Sequence, residues 1–91
     1  MKPGRRLVEL GASACSDAEI LAILIGSGGA SFSALDCARD LLGRFGTLSE
    51  LMGRPLGELA CVRGIKAARA VRIAAAYELS RRLIEQLHQS A

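Results

Sequence analysis

A glycine flanked by apolar and cationic residues is the part of this sequence whose chemistry can be read most directly. The segment from residue 62 to residue 70 reads VRGIKAARA. Gly64 can adopt a positive φ and presents no side chain to an approaching molecule. If a helix begins just after this glycine, its first amide groups lack partners within the helix, and the helix dipole favours an anion there. The segment therefore predicts a turn that can bind a phosphate group.

The residues around this glycine divide into a packing set and a binding set. The apolar side chain of Ile65 is expected to pack between the two helices and so hold the turn against them. Ala70 is small enough to let those helices pack closely. Lys66 and Arg69 are expected off the core face of the following helix, where they would add positive charge. The predicted binding residues are Arg63, Gly64, Ile65, Lys66, Ala67, Arg69 and Arg72.

Positive charge is concentrated in the same half of the chain. The 91 residues carry a formal net charge of +3. Residues 54–82 contain seven basic and two acidic side chains, whereas residues 11–53 contain two basic and five acidic ones. A one-sided basic region suits a polyanionic partner, although a solvated helix face explains the same charges equally well.

Length and composition predict one small helical domain of a cytosolic protein. No apolar run reaches the roughly 18 residues that would span a bilayer, and no secretory signal follows the basic N-terminus. Three widely spaced cysteines, Cys15, Cys37 and Cys61, lie among apolar neighbours and are expected to be buried and reduced. The single histidine, His88, lies in the C-terminal tail. We therefore expect no metal ion, disulfide or cofactor.

Helix signals recur along the chain, and strand alternation is absent. Ser16 and Glu19 form a capping-box pattern, Ser33 can cap a second helix, and Thr47 and Glu50 form a second capping-box pattern. Apolar residues surround the helix that follows Ser16 almost completely, so we expect it to be buried. The predicted helices span about residues 3–9, 17–25, 34–44, 48–53, 55–61 and 67–87. The predicted fold is all-α, a compact bundle of five or six short helices.

Two helix–glycine–helix segments suggest an internal duplication. The predicted domain comprises a first unit over about 16–45, a connector over about 46–55 and a second unit over about 55–88. The first turn, IGSGG at 25–29, departs further from the pattern and is expected mainly to support packing. The expected core residues are Ile20, Leu21, Leu24, Leu35, Leu41, Leu42, Leu59, Val62, Ile65, Ile73 and Tyr77.

The spacing of the second unit resembles a known nucleic-acid-binding motif. Leu59, Val62, Gly64, Ile65, Ala70 and Ile73 follow the spacing of the helix-hairpin-helix motif. Lys66 stands where that motif usually has a second glycine, and Arg63 stands where a proline or small residue is common. We expect this departure to weaken the amide contact and to supply a direct charge contact instead.

The order of motifs along the chain is similar to the N-terminal domain of the RadC family, also designated UPF0758. The motifs are SDAEILAILIGSGG, RDLLGRFGTLSEL, VRGIKAARA and AAYELSRR, and the resemblance covers about residues 3–82. It implies tandem helix-hairpin-helix units similar to the second domain of RuvA. In family members, which bear the label DNA repair, this domain precedes a JAB/MPN-like metal-dependent hydrolase domain. The present chain lacks the histidines for such a zinc site.

The sequence leaves three functions to be compared. The first is a DNA-binding module that contacts backbone phosphate without base preference. The second is a protein-interaction or regulatory domain with a purely structural hairpin, which would serve a metal-dependent hydrolase domain absent from this sequence. A chain this small with so many apolar residues can leave an apolar patch exposed for a partner. An enzyme is disfavoured, because the acids Asp36, Asp40, Glu50 and Glu58 are scattered and no nucleophile–base pair is present. The chain is expected to be a monomer or a weak dimer.

Overall fold

The computed structural model describes residues 1–26 and 33–90, and every regular element in these two ranges is helical. The helices are α1 (Pro3–Leu10), α2 (Asp17–Ile25), α3 (Ala34–Phe45), α4 (Leu48–Leu51), α5 (Leu56–Leu59) and α6 (Ala67–Ser90). A 3₁₀ turn, Ala12–Ala14, lies between α1 and α2. The prediction of an all-α fold with five or six helices is confirmed. The first glycine turn lies mostly outside the described residues, so its predicted role is not addressed by the structure.

Local capping explains where α2 and α3 begin. The Ser16 hydroxyl accepts the Glu19 N–H at 3.2 Å, and the Glu19 carboxylate accepts the Ser16 N–H at 2.9 Å. The same backbone hydrogen bond holds the pKa of Glu19 below its usual value, because it stabilises the ionised carboxylate. Ser33 caps α3 by accepting the Asp36 N–H at 3.1 Å. Both predicted caps are confirmed.

The second predicted capping box forms only in its first half. Thr47 Oγ1 accepts the Glu50 N–H at 3.3 Å, but the Glu50 carboxylate pairs with the Arg54 guanidinium at 3.6 Å. Arg54 also pairs with Glu58 at 3.6 Å and lies 5.0 Å from the centroid of the Phe45 ring. Arg54 therefore ties the short helices α4 and α5 to the end of α3.

The hydrophobic core forms where α2 packs against α3 and α6, while α4 packs against α3 and α5 packs against α6. Six of the predicted core residues are buried: Leu21, Leu41, Leu59, Val62, Ile65 and Ile73. Leu24, Leu35 and Leu42 are half-buried at its edge. The core also contains residues that the prediction of the core omitted: Ala22, Ile25, Cys37, Ala38, Leu51 and Ala70.

Two of the core predictions are wrong, because Ile20 and Tyr77 are each 39% exposed. The expectation that α2 is enclosed on all sides fails for the same reason. This helix packs against α1, α3 and α6, and these neighbours leave the side that carries Ile20 and Ile23 open. A nine-residue helix in so small a domain does not gather enough neighbours to cover every apolar side chain.

The two helices of the second unit differ from their predicted lengths. Pro55 lies at the N-cap of α5 and not inside the helix, and α5 ends at Leu59. The chain then runs through successive turns, in which the N–H groups of Cys61 and Val62 bond to carbonyls three residues earlier. Helix α6 begins at Ala67 as predicted but continues to Ser90, and all its residues from 79 onward are exposed.

A pair of glycine substitutions tests the contact between the connector and α6. Gly53 has a φ of 89°, and a Cβ atom there would lie 3.0 Å from Cζ of Tyr77. We expect Gly53→Ala to lower the free energy of unfolding by about 1 kcal/mol or more, because alanine disfavours this φ and crowds the ring. Gly43 lies within α3 with nothing within 4 Å of the corresponding position. Gly43→Ala should raise the free energy of unfolding by about 0.5–1 kcal/mol. Urea unfolding followed by circular dichroism measures both changes, and equal effects would contradict the described contact.

Candidate nucleic-acid interface

The turn before α6 has the conformation that the sequence predicts. The Ile65 N–H donates to the Val62 carbonyl at 3.0 Å, which closes a four-residue turn, and Gly64 has a φ of 85°. No described residue other than glycine has a positive φ, so Arg63 occupies the ordinary negative region. A positive φ at the third position alone is the signature of a type II turn. We call residues Val62–Ile65 the hairpin turn.

The packing roles assigned to two residues are confirmed. Ile65 and Ala70 are each 2% exposed and belong to the core that joins α5 to α6. By contrast Lys66, Ala67 and Ala68 are exposed at the start of α6. The first amides of a helix have no partner within the helix, so this exposed end can meet an anion.

Arg69 does not lie where the sequence analysis expects. It is only 5% exposed, so the prediction that its side chain lies off the core face is wrong. Its Nη1 donates to the Gly64 carbonyl at 3.2 Å and to Cys37 Sγ at 3.0 Å, while Nη2 donates to the Gly26 carbonyl at 2.9 Å. The physical reason is that α2, α3 and the hairpin turn all present acceptors at one point, and a buried acceptor without a donor is costly. Arg69 thus joins three parts of the chain that are distant in sequence.

The Cys37 thiol belongs to the same network. Its Sγ lies 3.6 Å from the Arg63 carbonyl, to which the thiol proton can be donated. Burial raises the pKa of the Cys37 thiol, although the Arg69 guanidinium acts in the opposite direction. The thiol therefore stays protonated at neutral pH and keeps its donor. The predicted burial is confirmed for Cys37, whereas Cys15 is half-buried and Cys61 is exposed.

Arg72 reaches the same end of α2 from the surface. Its side chain is exposed, but its Nη1 donates to the Ile25 carbonyl at 2.6 Å. Arg69 and Arg72 therefore both meet carbonyls at the C-terminus of α2, where the helix dipole favours positive charge. Gly26 has a φ of 72°, and a Cβ atom there would lie 2.6 Å from Arg72 Nη1. The positive φ favours a glycine at this point, whereas the flexible Arg72 side chain could move away from a Cβ atom.

Much of the basic half of the chain is paired within the molecule. Arg81 and Arg82 bind Glu78 at 3.1 and 2.8 Å, and these bonds lower the pKa of Glu78 to about 2. Arg54 pairs with Glu50 on α4 and with Glu58 on α5. The predicted binding residues Arg63, within the hairpin turn, and Lys66, directly after it, are both exposed.

The described residues show no arrangement for metal chemistry or for crossing a membrane. Residues 1–26 and 33–90 contain no group of three or more His, Cys, Asp or Glu side chains placed to hold a metal ion. Within the same ranges, no helix has both the length and the apolar content needed to cross a bilayer. Asp36 and Asp40 are exposed on α3, and Glu50 and Glu58 are engaged by Arg54.

Comparison with known proteins identifies the family. Residues 1–71 match the family model described as UPF0758 N-terminal. The chain belongs to the UPF0758 family. It is 46% identical over 85 residues to a UPF0758 protein of Cupriavidus taiwanensis and 42% identical over 85 residues to one of Neisseria gonorrhoeae. A UPF0758 protein of Xylella fastidiosa is 46% identical over 81 residues. The predicted family resemblance is confirmed.

The similarity covers most of this chain but only part of each relative. The matched regions make up 93% of the chain for the first two relatives and 89% for the third. They make up 37%, 38% and 36% of the relatives' own lengths. No solved structure shows significant similarity to this UPF0758 chain.

Sequence reasoning missed the arginine network that supports the hairpin turn. The acceptors for Arg69 and Arg72 are backbone carbonyls at Ile25 and Gly26. The available signal was the position of both arginines directly beside the apolar face of α6, five and eight residues after Gly64. Helical periodicity alone could not show that the end of α2 lies opposite them.

Replacing Arg69 should destabilise this UPF0758 domain. Arg69→Ala leaves the Gly26 and Gly64 carbonyls and Cys37 Sγ without this donor, so we expect a loss of about 3 kcal/mol in the free energy of unfolding. Arg69→Met, which keeps the apolar stem, should lose nearly as much because it lacks the donors. Lys66→Ala is the matched control, since Lys66 is exposed and should change stability by less than about 0.5 kcal/mol. Urea unfolding of the three variants measures the difference, and an Arg69→Met variant as stable as wild type would show that the hydrogen bonds contribute little.

Proposed function

We propose that this UPF0758 N-terminal domain binds DNA through backbone phosphate, without base specificity, at the hairpin turn and the start of α6. The observation that carries the proposal is the turn geometry. Gly64 has a positive φ, and the exposed end of a 24-residue helix follows within three residues. A backbone phosphate can approach this end without meeting a side chain at position 64. The tandem helix-hairpin-helix arrangement implied by the family resemblance supports the same proposal.

The site residues take different roles in this proposal. The N–H groups of Lys66 and Ala67 donate to a phosphate oxygen, and the exposed side chains of Arg63 and Lys66 supply charge-assisted contacts. Ile65 anchors the turn in the core. Arg69 is buried, so it acts as a positioning residue that holds the Gly64 carbonyl and does not itself contact phosphate.

Arg72 contributes positive charge to the proposed site. Its guanidinium bonds to the Ile25 carbonyl but remains on the surface, so it adds positive potential near the site.

Since DNA is the proposed partner, we place the domain in the cytoplasm as a monomer or weak dimer. The longer UPF0758 relatives would then use the domain to bring a catalytic region to DNA, while this chain itself is a binding module and not an enzyme.

A protein-interaction domain is the second candidate, and a specific observation favours it. Leu79, Leu83, Ile84 and Leu87 on α6 are each more than half exposed. An exposed apolar stretch of this kind commonly marks a contact surface. The two functions use different parts of α6 and can be tested separately.

Salt-dependent DNA titration tests the primary proposal. Fluorescence anisotropy with single-stranded, duplex and branched DNA at several salt concentrations gives the slope of log K against log salt. For duplex DNA the slope is about −0.9 for each neutralised phosphate. The Arg63→Ala, Lys66→Ala double variant should flatten the slope by roughly 2 and weaken binding about equally for all sequences.

A matched control removes the same charge elsewhere on α6. Arg81→Ala, Arg82→Ala also changes the net charge by two, at a distance from Lys66 of about 24 Å given the rise of a helix. This control should leave the slope within about 0.5 of the wild-type value. Equal losses in the two double variants would indicate a general charge effect. A wild-type chain with no salt-dependent binding would refute the proposal and leave the protein-interaction function in its place.

A further inference from the structure

The distal half of α6 carries a row of exposed leucines. Leu79, Leu83 and Leu87 are 70%, 57% and 60% exposed, and Ile84 beside them is 55% exposed. Their spacing of four residues places the three leucines on one face of the helix, along a single i±4 ridge. We call Leu79, Leu83 and Leu87 the leucine row. It begins beyond the last buried residue of α6, Ile73, and so extends past the core.

We propose that two copies of this chain associate through the leucine row, with their α6 helices antiparallel and a two-fold axis passing close to Leu83. A two-fold interface uses the same surface on both copies, so the surface must be complementary to itself. The leucine row meets this condition, because Leu79 and Leu87 lie at equal distances on either side of Leu83. In the antiparallel pair, Leu83 faces its own copy and Leu79 faces Leu87 of the second chain.

The ridge also fits a common mode of helix packing. When the i±4 ridges of two helices interdigitate, the helices cross at about −50° and their axes lie 8–10 Å apart. The crossing point then lies at Leu83, the middle of the row. Contact is limited to about one turn on either side of this point, which is the length over which the leucines are placed.

The charges near the row allow a second copy to approach. The segment has two acidic and two basic side chains that pair within their own helix: Arg81 with Glu78 at 3.1 Å and with Glu85 at 3.4 Å, and Arg82 with Glu78 at 2.8 Å. At 3.6 residues per turn, Arg81 and Glu85 lie about 160° around the helix from Leu83. Residues 78–87 carry no net charge, and Arg81 and Glu85 are not desolvated when the leucine rows meet.

The size of the surface sets the strength of the association. A standard interface contributes about 20–30 residues from each side and buries at least about 1,200 Å² in total. Three leucines and Ile84 from each copy provide much less than this. The pair should therefore be weak and should dissociate on dilution between about 1 mM and about 10 µM.

Disulfide trapping tests the position of the two-fold axis. All variants carry Cys61→Ser, because Cys61 is the exposed native cysteine. Under mild oxidation, Leu83→Cys should form a covalent dimer, since only a residue at the axis can reach the Cα separation of about 4.4–6.8 Å that a disulfide needs. Leu79→Cys and Leu87→Cys should not link to themselves, because each would lie about 12 Å along the helix from its own copy. A mixture of the two should form the mixed dimer.

Controls keep the test independent of DNA binding and of folding. Val8→Cys, on the most exposed apolar residue of α1, gives the rate of random collision. Sedimentation of the wild type should show self-association that Leu83→Glu abolishes and Gln89→Glu, on another face of α6, preserves. Circular dichroism should show both variants folded, since residues 83 and 89 are exposed. A wild type that remains monomeric at about 1 mM, or a Leu83→Cys variant that links no faster than Val8→Cys, would overturn the proposal.

Discussion

The arrangement of this domain depends on one buried guanidinium group. Arg69 donates to the carbonyls of Gly26 and Gly64 and to the Cys37 thiol, so it joins the end of α2, the first turn of α3 and the hairpin turn. Burying a cation is favourable only if its donors are satisfied, and here backbone carbonyls and a neutral thiol supply much of that satisfaction. Together with Arg72 at Ile25, it places positive charge at the negative end of the α2 dipole.

This constraint explains how a very short helix can hold a well-defined turn. Helix α5 has only four residues, too few to stabilise a hairpin by its own hydrogen bonds. The turn is held instead by Ile65 in the core below it and by Arg69 at the Gly64 carbonyl. The exposed start of α6 therefore has a fixed orientation, which is what a site built from backbone amides needs. The structural role of Arg69 also means that charge counts along the sequence overstate the positive charge available to a partner.

Features determined by neighbouring residues could be predicted from the sequence, whereas features determined by distant contacts could not. The start of α2 at Ser16 and the positive φ at Gly64 follow from local chemistry, and both are confirmed. The burial of Arg69 depends on Gly26, 43 residues earlier, which no periodicity shows. The capping box predicted at Thr47 and Glu50 forms only in part, because Arg54 competes for the Glu50 carboxylate. Ile20 and Tyr77 are apolar and suitably spaced, but no described residue covers either of them fully.

The length of α6 has a mechanical consequence. Its 24 residues form one continuous helix, which spans about 36 Å from the hairpin turn to the distal end. The described helix contains no proline or glycine, the residues at which helices most often bend sharply. A molecule that binds the C-terminal end of α6 therefore sets the direction in which the hairpin turn points, because the helix between them is straight and rigid. A flexible linker of the same length would hold the two ends near each other without controlling their orientation.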